Sequence, residues 1–108
     1  MAPVRVGRYV GRVNEQPATS DHADEIELLR ATPVEIILGN HIFHLIQLAA
    51  VHLAATPPGL AEARLAIDVA GAMVNTGGDR LGEHVDLYRG ALAEVQQVFV
   101  RAAAQATT

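Results

Sequence analysis

Residues 32 to 55, TPVEIILGNHIFHLIQLAAVHLAA, restrict the possible folds more than any other part of this chain. Their helical pattern is apolar almost all the way round, and such a helix needs cover on more than one side. Thr32 reads as the N-cap, Pro33 suits the first helical position, and Glu35 completes a T-x-x-E capping box. At about 100° per residue, Ile42, Leu45, Ile46, Ala49 and Leu53 share one side, which belongs in a core. Val34, Ile37, Leu48 and Val51 fall on the other side, mixed with Asn40, His41, His44, Gln47 and His52. That second side reads as a contact surface holding some water.

A run of about 22 mostly apolar residues is also long enough to span a bilayer. Glu35, Asn40, His41, His44, Gln47 and His52 are spread along its whole length, and no cluster of basic residues flanks it. Each of those side chains is costly in lipid. The expectation is therefore a buried helix of a soluble bundle, with no membrane partner.

The rest of the chain supplies the cover. Thr56-Pro57-Pro58-Gly59 breaks the helix and starts another, from about 58 to 76. Its first face is Leu60, Ala63, Ile67, Ala70, Gly71 and Val74, and Leu65, Val69 and Met73 make a second. Gly77 and Gly78 end it, a glycine there fitting a left-handed cap. A third helix, about 80 to 104, carries one apolar stripe of Leu81, Val85, Tyr88, Leu92, Val95, Phe99 and Ala102. Gly90 inside it reads as a mark of close packing. Ahead of these, Ser20 can cap a short helix over about 21 to 30, with Asp21, Asp24, Glu25 and Glu27 early in it. Ile26, Leu28 and Leu29 are expected to dock it.

The fold expectation is all-α. Three main antiparallel helices (32–55, 58–76, 80–104) are joined by short loops and preceded by a short helix. Residues 20–108 form one helical domain behind a flexible basic arm, 1–19. A domain of that size buries only a modest share of its surface, yet two of its helices are apolar on two sides. The excess points to a homodimer, with helices of two chains forming a larger bundle. Its interface candidates are Ile37, His41, His44, Leu48, Val51, Leu65, Val69 and Met73. The rival is a monomer whose exposed face binds another, unidentified protein.

Composition narrows the function. The 108 residues contain no Cys, which excludes disulfides, thiol catalysis and thiolate-based zinc sites. The stretch MAPVRVGRYVGRV has no long apolar core, so no signal peptide is expected and the location is read as cytoplasmic. A net charge of −4 argues against a general nucleic-acid binder. The arm is locally basic, however. Arg5, Arg8 and Arg12 with Tyr9 between them can touch RNA or another anionic surface; the reading placed first is a flexible terminus or a short strand lying on a neighbour.

The best candidate for chemistry is His41-x-x-His44, with His52 further on. Residues at i and i+3 share a helix face, so two imidazoles could join Glu35, Glu83 or Asp86 around a transition metal. The sequence has no H-E-x-x-H, and no Glu-x-x-His of the kind that carboxylate-bridged metal bundles use. The two histidines also sit about 60° apart on the helix. They are read first as interface hydrogen bonders that fix register. Ser20, the only serine, lies in a charged linker, so a Ser-His-Asp triad is not expected. No catalytic residue, resident metal or cofactor is assigned.

Several stretches resemble a known family. T-P-V-E-I-I, L-A-A-V-H-L, P-P-G-L-A-E-A-R-L-A-I-D, G-G-D-R-L-G-E-H and A-L-A-E-V-Q-Q-V-F-V are similar to a small bacterial family, domain of unknown function family 1844. The likeness covers roughly residues 26 to 103 and consists mostly of helix-packing positions. It implies an all-helical fold and carries over no activity and no functional residue. Genes near some members belong to translation, which extends the ribosome or RNA expectation for Arg5, Arg8 and Arg12. The first 20 residues lie outside the likeness.

Overall fold

The computed structural model describes residues 18–107, with side chains from His22 onward. The arginine arm with Arg5, Arg8, Tyr9 and Arg12 lies outside the described residues. All regular structure among them is helical, in four α-helices and one 3-10 turn. The all-α expectation holds. The chain divides into two compact units after Pro33.

The first unit contains α1, Ala18–Ala31. It begins two residues before Ser20, so Ser20 lies inside the helix instead of capping it. Ile26, Leu28 and Leu29, expected to be covered, are exposed. Thr32 has a different job from the one its sequence position implies. Its hydroxyl donates to the Leu28 carbonyl at 2.7 Å, and its own N–H donates to the same oxygen at 3.0 Å. The last carbonyls of a helix are as short of partners as the first N–H groups, and here the threonine serves the end of α1. Glu27 and Arg30 pair at 3.0 Å on its exposed face, a contact that contributes little.

The second unit holds α2 (Val34–Leu53), α3 (Leu60–Gly77), a 3-10 turn over Gly78–Leu81, and α4 (Val85–Ala106). Each of the three long helices packs on the other two. Neighbours fix their directions. Val34 at the start of α2 shares a groove with Thr76 at the end of α3. Arg64 near the start of α3 lines a pocket with Val100 towards the end of α4. Gly39 in the first half of α2 lies against the ring of Tyr88 in the first turn of α4, and Phe43 at mid-helix meets the same ring edge to face with centroids 5.0 Å apart. The helices therefore run up, down and up.

The core is the set of stripes read from the periodicity. Ile42, Ile46, Ala49 and Leu53 of α2 meet Ala63, Ile67, Ala70 and Val74 of α3 and Val85, Tyr88, Leu92 and Val95 of α4. Leu81 on the 3-10 turn closes one end. Close approach of α2 and α4 depends on Gly39, where a Cβ would fall on the Tyr88 hydroxyl and 2.7 Å from its Cζ. Only a residue without a side chain leaves room for that buried ring.

The third helix starts later than its pattern implies. Gly78 has φ 51° and its N–H closes α3 on the Val74 carbonyl, while Gly82 has φ 93°. Both conformations strain any residue with a Cβ, so the two glycines bracket a tight turn and α4 begins only at Val85. Gly90 does not mark close packing: it is exposed and a Cβ there would meet nothing within 4 Å. Replacing it therefore acts through helix propensity alone. Gly90→Ala is expected to stabilise the protein by about 1 kcal/mol, raising the melting temperature by about 4–8 °C. A circular-dichroism melt checks this, and an unchanged or lower midpoint would show that Gly90 has a contact partner.

Candidate functional site

The surface that α3 and α4 leave uncovered is the outer arc of α2. Only five of its 20 residues are buried, and all five face the core. By length and composition, with a mean hydropathy of 1.5, α2 meets the requirement for a membrane span. Its neighbours pack on one side only. Opposite them, Leu48 is 47% and Val51 62% exposed, with Val34 and Ile36 also open to solvent and Ile37 half-buried. His41 and His44 are exposed in the middle of the same arc.

The outer residues have an order that whole-helix apolarity hides. Val34, Ile37, His41, His44, Leu48 and Val51 follow one another at steps of three, four, three, four and three. That is the a/d spacing of a coiled-coil seam. The order is also palindromic: two apolar residues, two histidines, two apolar residues. An antiparallel copy of α2 would set Val34 against Val51, Ile37 against Leu48 and His41 against His44. Between Ile36 and Val51 the helix has no Asp, Glu, Lys or Arg, so self-pairing opposes no fixed like charges. Asn40 and Gln47 border the seam on one side with neutral amides.

On its other border the seam runs into an open groove of about 700 Å³ between α2 and α3. Val34, Leu38, Val69, Ala72, Met73 and Leu81 form its floor, and Glu35, Asp68 and Arg80 also line it. Arg80 is held by a 2.9 Å hydrogen bond from its guanidinium to the Thr76 carbonyl, and Asp68 faces Arg64 at 3.7 Å. Beside the groove Leu65 is 67% exposed and Val69 is exposed too. The apolar surface thus extends from α2 onto the second face of α3.

The expected interface residues lie on this surface, with one qualification. Ile37 and Met73 are half-buried, and Met73 already packs against the core. His52, a metal candidate and not an interface candidate, takes no part in the seam. It is half-buried at the end of α2, where its carbonyl accepts the Gly59 N–H at 2.9 Å and its ring lies beside Gly59. Within one chain the described residues hold no group of three or more His, Asp or Glu placed to share a metal ion. Glu83 and Asp86 point to solvent and pair with His84 and Arg89. The palindromic seam is the feature sequence reasoning missed. Its signal was present as the 3-4 spacing, hidden because apolar residues occupy nearly every position around it. The likeness to family 1844 rests on its residues alone: no protein-family model, no curated protein and no solved structure matches the chain.

Proposed function

We propose that this protein is a small, soluble, non-enzymatic interaction module of the cytoplasm that pairs with itself through the outer seam of α2. The observation that carries the proposal is the exposure of Val34, Leu48 and Val51 on a face that bears the a/d spacing and no fixed charge. Isolated exposed apolar residues are ordinary, but a contiguous stripe of them marks an association surface. A seam from Val34 to Val51 runs for about 27 Å, and Leu65 and Val69 beside it widen the contact towards the roughly 800 Å² per partner of a stable dimer. Histidines and amides in such a seam fix register more than they add affinity. The imidazoles and amides along α2 also favour an aqueous partner over lipid. The resemblance to family 1844 adds no activity to this proposal, since its shared positions are packing positions.

Sedimentation velocity on untagged protein in EDTA tests it. A dimer persisting to low micromolar concentration is expected. A monomer at ~100 μM, where even a weak association of about −5 to −6 kcal/mol would show, would remove the self-pairing and leave the face to a different protein.

A further inference from the structure

We infer that the paired seam contains a four-imidazole site for a divalent transition metal, made of His41 and His44 from each of two chains. The inference rests on the self-pairing proposed above and names what lies at its centre. In one chain the two rings are too few to hold a metal firmly, and no carboxylate joins them. The antiparallel register changes the count. His41 meets the partner's His44 on one side of the two-fold axis and the symmetry repeats the pair on the other, so four rings gather within one helical turn. Neither chain completes the site alone.

The surroundings of the rings favour a metal over bare pairing. The layers above and below are Ile37 against Leu48, which shut water out of the centre. Each neutral imidazole has one acceptor nitrogen, and a dry pocket of four leaves those lone pairs poorly matched. A cation that accepts four nitrogen donors resolves this. Imidazole ligands suit zinc, copper and nickel, and zinc is four-coordinate in closed sites. The outer ring nitrogens are served too. Asn40 and Gln47 stand one turn before and one turn after His44 on the same helix, so an amide oxygen is at hand to take a ring N–H and orient it. His52 takes no part, being held beside Gly59 at the far end.

The test uses untagged full-length protein at pH 7.5, in EDTA and with zinc chloride at half the chain concentration. Sedimentation velocity over a dilution series gives the dimer affinity, and native mass spectrometry gives the stoichiometry. Zinc is expected to tighten the dimer at least tenfold, with one zinc per two chains. The double variant His41→Leu, His44→Leu is expected to keep its helix content and to lose the response to zinc, whatever its own affinity in EDTA. Both histidines are exposed, so the fold of the single chain does not depend on them. A dimer in EDTA that zinc leaves unchanged overturns the site and leaves the self-pairing intact. One zinc per chain, or tightening that survives in the double variant, also overturns the site. Monomers in both solutions overturn the site and the self-pairing together.

Discussion

Leu48→Glu and Val51→Glu are each expected to turn a dimer into a folded monomer at any micromolar concentration. Both side chains are open to solvent in the single chain, 47% and 62% exposed, so a carboxylate there stays hydrated and the bundle keeps its core. In the paired seam the same carboxylate lies against Ile37 or Val34 of the other copy. The outer arc offers it no Lys or Arg. Symmetry places the charge twice, once on each side of the axis. An unpaired charge in such a contact costs about 3 kcal/mol or more, which weakens dimerisation by more than ~100-fold. Sedimentation velocity reads the change, and unaltered ellipticity at 222 nm confirms that the helices remain. A dimer of wild-type affinity in both variants would move the interface away from α2. Leu65→Glu then separates the remaining possibilities, since Leu65 lies on the extension of the surface onto α3.

Ile42→Ala is expected to cost the second unit most of its stability. Ile42 is fully buried in the middle of α2, and with Val74 it is the largest side chain buried so completely among the described residues. The core cluster it belongs to includes many short side chains, among them Ala49, Ala63, Ala66, Ala70 and Val74. Such short side chains cannot reach across to refill the space, so the cavity persists. Losing an isoleucine to alanine in a core costs about 2–5 kcal/mol, and a domain this small has only about 5 kcal/mol or somewhat more to lose. Urea unfolding is expected to show a midpoint lowered by more than half, or a molecule partly unfolded in buffer. A shift below ~1 kcal/mol would mean that α3 and α4 settle into the gap. The contrast with Leu48→Glu is informative. One change removes the fold and leaves the seam sequence untouched, while the other removes the seam and leaves the fold.

Those two positions show how much the chain declares by itself. Period alone separates Ile42 from Leu48, because buried and outer residues of α2 fall on opposite sides of a 3.6-residue repeat. The same counting found the stripes of α3 and α4 and the glycines at the end of α3. It failed where a residue had two possible partners. Thr32 can serve the helix before it or the one after it, and its hydroxyl went to the Leu28 carbonyl. Gly90 and Gly39 look alike in sequence, each a glycine inside a helix. Gly39 faces the Tyr88 ring and Gly90 faces water.

The sequence by itself determined the helices, their core stripes and the absence of thiol chemistry, since these follow from local spacing and residue type. Only the tertiary structure decided where the helices stop and which apolar face stays open. α3 and α4 both settle on the Ile42 side of α2, because that side has Gly39 and Ala49 to admit them closely and no polar residue to desolvate. The histidine side would have cost them buried imidazoles and amides, and it is left facing outwards.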